Sequence, residues 1–254
     1  GGSVGGEGSD VLSQVRFLLT SDGSRVVYVA DKDVNDVNEL YSVPIDGSGP
    51  VTKLSGPMTP GGDVLADGQR GPSFALSPDG AHVVYLADQE TDERIELYRA
   101  EILGGSSPVR LSQALIADGN VGGDPFHSPG RHGVVAISPD DAWVVYLADA
   151  EVDRMDELYA VPLDGSAMPH KVNASLATNG SVVDFELASD GRVVYRVTRN
   201  TINAYDDAHW GQLAVFDPAT GAVELSGSPQ DFVLSQPEQG VDTEGGSMGG
   251  PLVL

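Results

Sequence analysis

Short runs of β-branched, aromatic and aliphatic residues alternate along this chain with turn-forming clusters of Gly, Pro, Asp and Ser. The longest apolar run, Ala142 to Ala148, is far too short to cross a bilayer as a helix. Short apolar runs bounded by turn signals predict strands. The runs are nearly all apolar instead of alternating, as in Val83-Val84-Tyr85-Leu86-Ala87. That pattern predicts strands in the middle of sheets covered on both faces.

The runs recur. Ser21-Asp22-Gly23-Ser24-Arg25-Val26-Val27-Tyr28-Val29-Ala30-Asp31 reappears from Ser77 to Asp88 and from Ser138 to Asp149, with a shorter copy from Ser189 to Val197. The copies are 57, 61 and 49 residues apart, measured between Tyr28, Tyr85, Tyr146 and Tyr195. Each copy reads as four strands. In the second, Ser73 to Leu76 leads into Ser-Pro-Asp-Gly, where Pro78 and Asp79 suit the centre of a turn and Gly80 accepts positive φ. The next strands are His82 to Ala87, Glu96 to Ile102 and Val109 to Leu111. The other copies offer third strands at Glu39–Ile45, Glu157–Leu163 and Gln212–Phe216, and fourth strands at Val51–Leu54, His170–Val172 and Val223–Leu225. A four-stranded unit cannot bury both faces alone, so units of this kind must stack. The expected fold is all-β, a β-propeller of about four four-stranded blades. The blades fall at about 11–55, 72–112, 133–173 and 181–226 of one domain, with a tail over 227–254.

Composition agrees with many short strands. The 254 residues include 32 Gly and 16 Pro, and 40% are hydrophobic, enough for a packed core. The absence of Cys excludes disulfides, thiolate zinc sites and a cysteine nucleophile. Charge changes the picture more. Fourteen Lys and Arg stand against 38 Asp and Glu, a net charge of −24. Such a surface repels phosphate backbones and anionic membrane leaflets, so neither nucleic acid nor membrane insertion is expected. The first residue is Gly, which fits either removal of a leader or excision from a longer chain.

The Ser-Pro-Asp-Gly-x-x-Val-Val-Tyr element, followed by Glu-Leu-Tyr and then Asp-Gly, resembles the TolB-like, WD40-like PD40 propeller repeat. The resemblance covers about Val15 to Leu225. It implies a secreted, extracellular or periplasmic propeller that binds or assembles with protein partners. The family also includes propellers attached to prolyl-oligopeptidase-type peptidases. This chain departs from the family in having only four copies, separated by long Gly-rich inserts at 56–72 and 113–133.

Candidate chemistry lies in the hairpin loops. Asp31, Asp88 and Asp149 each precede a tyrosine by ten residues, and oxygen-bearing side chains fall at loop positions 1, 3, 5 and 9. These are Asp31, Asp33, Asn35 and Glu39; Asp88, Glu90, Asp92 and Glu96; and Asp149, Glu151, Asp153 and Glu157. Alternating carboxylates in a curled loop suit calcium, which takes several oxygen ligands. The sixth position, where a calcium loop places Gly for its sharp turn, is Asp36, Glu93 or Arg154. The alternative is a solvated acidic hairpin. More than a third of the acidic residues fall in these three loops, which are expected to share one rim.

Other motifs fail on context. Gly245-Gly246-Ser247-Met248-Gly249 matches a nucleophile elbow, but no acid or His follows it, and Gly1-Gly2-Ser3-Val4-Gly5 matches equally well. Asp124, His127 and His132 contain the right atoms for a transition metal but sit in a Gly/Pro-rich insert. Pro251-Leu252-Val253-Leu254 is an apolar tail suited to closing the first blade or to pairing with a neighbouring copy. The expectation is a non-enzymatic structural or binding module that self-assembles through terminal strand exchange. The alternatives are a TolB-like periplasmic scaffold and the propeller of a peptidase.

Overall fold

A computed structural model describes residues 17–65, 73–122, 134–176, 180–198, 212–217 and 222–225, the last two as backbone. Among them, sixteen strands form four antiparallel sheets, each built from four consecutive strands in chain order. Blade 1 holds β1 (Phe17–Leu19), β2 (Arg25–Ala30), β3 (Glu39–Pro44) and β4 (Thr52–Lys53). Blade 2 holds β5 (Phe74–Leu76), β6 (His82–Ala87), β7 (Glu96–Glu101) and β8 (Val109–Arg110). Blade 3 holds β9 (Val135–Ile137), β10 (Trp143–Ala148), β11 (Glu157–Pro162) and β12 (His170–Lys171). Blade 4 holds β13 (Ser181–Leu187), β14 (Val193–Thr198), β15 (Gln212–Asp217) and β16 (Ala222–Leu225). The fourth strands of blades 1 to 3 are shorter than the sequence suggests, two residues each.

The Ser-Pro-Asp-Gly turn explains why the first two strands of a blade pair. Gly80 N–H donates to the Ser77 carbonyl at 2.8 Å, and Gly80 sits at φ 72°. The Ser77 hydroxyl donates to Asp79 at 2.5 Å and accepts from His82 N–H at 2.8 Å, while Ala81 N–H donates to Asp79 at 2.9 Å. These donors hold the Asp79 carboxyl below its ordinary range. In blade 3, Asp141 takes the left-handed position at φ 59°, which Asp tolerates better than most residues. Blade 1 corrects the sequence alignment by one residue. Thr20, not Ser21, stands where Ser77 and Ser138 stand, since its hydroxyl donates to Asp22 and accepts from Arg25 N–H.

The second strands of blades 2 and 3 bury both faces, as their composition predicts. On β6, Val83, Tyr85 and Ala87 pack with Val27, Val29 and Leu40 of blade 1, while Val84 and Leu86 pack with Val144 and Tyr146 of blade 3. On β10, Val145 and Leu147 turn to Val182, Phe185 and Tyr195 of blade 4. The core is thus three sheet-on-sheet interfaces in sequence. Each fully buried Val, Leu or Tyr in them contributes roughly 1.5–3 kcal/mol of transfer free energy.

Two Gly-rich inserts leave the blades at one equivalent place. In blade 4, β13 runs through a bulge between Val182 and Asp184. In blade 2 the corresponding strand is split. Leu65 N–H donates to the Leu86 carbonyl and Leu86 N–H donates to the Ser73 carbonyl, with 66–72 lying between. In blade 3, Gly122 and Val134 bracket Leu147 in the same way. The ladder hydrogen bonds thus continue on either side of 66–72 and 123–133, at the position of the bulge in β13.

Candidate functional site

The three hairpin loops share one geometry, set by their first, sixth and ninth positions. Asp31, Asp88 and Asp149 are buried at position 1. The Asp88 carboxylate accepts Asp63 N–H at 2.5 Å and Glu93 N–H at 2.9 Å. The Asp149 carboxylate accepts Asn120 N–H at 2.6 Å and Arg154 N–H at 3.1 Å. Asp36, Glu93 and Arg154 at position 6 take φ of 60°, 60° and 64°. The sharp turn is made without Gly, held by the carboxylate at position 1.

The ninth position is consumed by a repeated triad. Glu39 accepts the Tyr41 hydroxyl at 2.5 Å and is paired with Lys53. Glu96 accepts Tyr98 at 2.8 Å and Arg110 at 3.1 Å. Glu157 accepts Tyr159 at 3.1 Å and Lys171 at 2.7 Å. Burial and the adjoining carboxylate raise the phenol pKa of all three tyrosines.

The remaining positions point elsewhere. Glu90 and Glu151 reach Arg110 and Lys171 at 3.1 and 2.8 Å, and Asp33 pairs with its neighbour Lys32 at 2.7 Å. Asn35 bonds Asp36, Asp92 lies against Gly61, and Asp153 lies 3.8 Å from Arg154. The calcium cage implied by the spacing is not assembled. The buried carboxylates face backbone amides, tyrosines and cations, and the middle ones face solvent. Among the described residues no group of three or more acidic or His side chains is placed to hold a metal.

What the loops do build is a clasp between blades. Gly62-Asp63-Val64, Gly119-Asn120-Val121 and Gly180-Ser181-Val182 are equivalent. The side chains of Asp63, Asn120 and Ser181 accept the N–H of Asn38, Ile95 and Asp156, each 25 residues earlier in the preceding blade. Val64, Val121 and Val182 then donate N–H to the carbonyls of the same three residues. In the first two clasps the central residue's own N–H donates forward to Asp88 or Asp149. A Cβ on Gly62 or Gly119 would lie 2.7 Å from the carbonyl oxygen of Asp88 or Asp149, so only Gly permits the approach. The Gly-polar-Val signature at constant spacing was present in the sequence, although Asp63 by itself looks like a scattered linker acid. Burial raises the Asp63 carboxyl pKa, with the charges of Asp88, Asp92 and Glu39 adding to it. Burial also lifts Asp149 to about 6 against the pull of its two amide donors.

The second feature is a sheet face. Phe17, Val26, Tyr28, Val43 and Ile45 of blade 1 stand at the register of Phe74, Val83, Tyr85, Ala100 and Ile102 of blade 2. In blade 2 this face packs on the preceding blade and all five residues are buried. In blade 1, Phe17, Leu19 and Ile45 are 64%, 51% and 57% exposed, and Val26, Tyr28 and Val43 are half-buried. Tyr28 and Tyr41 stack across it with centroids 5.7 Å apart. Sequence alone gives this face no distinguishing mark, because its residues are those of a buried interface. Ser247, Asp124, His127, His132 and the tail Pro251–Leu254 lie outside the described residues.

No protein-family model and no curated protein matches the chain. Solved structures do. A prolyl oligopeptidase B from Galerina marginata matches at TM-score 0.50 and 10% identity, over 84% of this chain and 31% of that one. A structure from a study of two prolyl endopeptidases matches at 0.49 and 13%, over 84% and 29%. The β-propeller domain of the Trilobed protease from Pyrococcus furiosus matches at 0.47 and 12%, over 81% and 54%. The chain spans under a third of the length of the two prolyl peptidases. Four consecutive four-stranded antiparallel sheets, stacked face to face, make this an all-β protein of propeller-blade architecture.

Proposed function

We propose that the chain is a non-enzymatic binding and assembly module of an exported protein, working through the outward face of blade 1. The observation that supports this is the exposure of Phe17, Leu19 and Ile45 on a face whose equivalent in blade 2 is a buried blade-to-blade interface. A contiguous apolar face of this kind marks a docking surface. The resemblance of the repeats to the TolB-like family supports the export part of this reading, and a TolB-like scaffold is its finer version.

Thiol labelling tests it, because the chain has no Cys. Ile45→Cys places one thiol on the face, and Ser48→Cys places one on exposed chain beside it. In dilute purified protein both should label quickly. In material kept in its producing cells, the thiol at 45 should label at least tenfold more slowly than the thiol at 48. Equal labelling in both settings would overturn the reading.

A second reading is the propeller portion of a prolyl-oligopeptidase-type peptidase. It is favoured by the likeness to the Galerina marginata enzyme, of which this chain spans 31%. It predicts a hydrolase domain on the same polypeptide.

A further inference from the structure

Tyr85 and Tyr146 hold the same place in blades 2 and 3, fully buried in the interface with the preceding blade. Their hydroxyls lie where the chain leaves that blade, at the backbone of Gly56 or Gln113. Burial raises both phenol pKa values, so each hydroxyl keeps a proton that needs an acceptor. Each finds a glutamine, and the two glutamines come from opposite sides of the junction. Tyr85 donates to Oε1 of Gln89 at 3.0 Å, four residues ahead in its own blade. Tyr146 donates to Oε1 of Gln113, at the exit of the preceding blade.

The positions are otherwise matched. Gly56 and Gln113 each follow a serine whose hydroxyl accepts a third-strand N–H, from Leu40 or Leu97, at 3.1 and 3.2 Å. Gln89 and Ala150 each offer a carbonyl to the insert beside them, accepting Thr59 N–H and Ile116 N–H at 2.9 and 3.2 Å. Where the exit residue is Gly the loop residue is Gln, and where the exit residue is Gln the loop residue is Ala. There is room for one glutamine only. A Cβ on Gly56 would lie 3.0 Å from Gln89 Nε2, so a second glutamine would press on the first. With none, a buried hydroxyl would lose its acceptor. Gln113 stands there although its Nε2 is buried without a partner among the described residues, so its carbonyl oxygen is the atom the junction uses.

We propose that one glutamine per tyrosine is a docking code that fixes which blade faces which. Blades 2 and 3 are close copies over Ser77 to Asp88 and Ser138 to Asp149, so apolar packing alone discriminates poorly between them. Blade 3 docked on blade 1, with blade 2 skipped, would set Ala150 beside Gly56 and leave Tyr146 with no acceptor. Blade 2 docked on blade 2 of another copy, the contact of a domain swap, would bring Gln89 and Gln113 together. Only the order 1–2–3 gives each of these tyrosines one glutamine. The wrong pairs are rejected by an unmet hydrogen bond or by crowding, as specific interfaces require. The inference concerns pairing between blades and stands whatever occupies the outward face of blade 1.

Relocating the glutamines in the intact chain is the test. Gln89→Ala and Gln113→Gly should each lower the melting temperature by about 3 °C or more, the effect of an unpaired buried hydroxyl. Gly56→Gln alone should lower it too, by crowding. Gly56→Gln combined with Gln89→Ala should melt within about 2 °C of the parent, because the moved side chain serves Tyr85 as Gln113 serves Tyr146. That double variant gives both junctions the same code. Refolded from urea at high protein concentration, it should form about threefold or more swapped dimer than the parent, read by size-exclusion chromatography. Adding Gln113→Gly and Ala150→Gln makes the junctions differ again and should return refolding to the parent's level. A double variant that melts as low as Gln89→Ala overturns the one-glutamine rule. A double variant that is stable and refolds as cleanly as the parent, or a fourfold variant that does not recover, overturns the code.

Discussion

Ile45 and Ile102 donate their N–H groups to equivalent carbonyls, those of Ser24 and Ala81, both at 2.9 Å, yet Ile45 is 57% exposed and Ile102 is completely buried. The two residues share a backbone position and differ in what packs against them among the described residues: Ile102 sits in the cluster between blades 1 and 2, and Ile45 does not. Ile102→Ala should therefore cost about 2–5 kcal/mol, the range for truncating a packed aliphatic side chain. Ile45→Ala should change the stability of the dilute monomer by no more than about 0.5 kcal/mol. Urea unfolding at low protein concentration measures both. Equal costs would show that the blade 1 face is covered within the same chain.

The clasp between blades 2 and 3 makes a coupled prediction. Asn120→Ala leaves the Ile95 N–H without its 2.8 Å acceptor, a loss of about 1–3 kcal/mol. Gly119→Ala forces its Cβ against the Asp149 carbonyl and should cost about the same by overpacking. Both changes disable one device, so the double variant should cost clearly less than their sum. Strict additivity in denaturant midpoints would show that the two residues act separately.

Asp63 gives a prediction with a pH sign. Its folded-state pKa lies above the ordinary 3.8, so ionising it costs the fold free energy. That cost is absent below about pH 3.8 and appears as pH rises through the folded value. Asp63→Asn keeps an oxygen for the Asn38 N–H, as Asn120 does naturally for Ile95, and removes the charge facing Asp88. The variant should be more stable than the parent at pH 7–8, with the gain shrinking to nothing toward pH 4. A gain that grows on acidification would contradict the assignment.

The sixth loop position predicts a stabilising change. Glu93 is held at φ 60°, a left-handed conformation that costs an L-residue roughly 1–2 kcal/mol. Glu93→Gly keeps the N–H that Asp88 accepts and should stabilise the protein by up to about 1 kcal/mol, after the extra unfolded-state entropy of Gly. Asp36→Gly should gain less, because Asp visits this region more readily. Melting temperatures of the two variants, compared at pH 7, decide the order.

The sequence by itself determined the blades. Turn chemistry and β-rich composition are local, so Ser-Pro-Asp-Gly and Val-Val-Tyr located the first and second strands, and the Glu-Leu-Tyr elements located third strands that begin at Glu39, Glu96 and Glu157. It also marked the loop acids without revealing their roles. Alternation counts positions but not directions, and only the folded loop shows Asp88 turned to backbone amides and Glu96 turned to Tyr98 and Arg110. The clasp partners, 25 residues apart, meet only when two blades stack. The open face of blade 1 is the extreme case, since Ile45 and Ile102 are the same residue in the same local pattern. Burial is a property of what lies opposite, which no local pattern encodes, and tertiary structure alone decided which isoleucine faces a neighbour and which faces water.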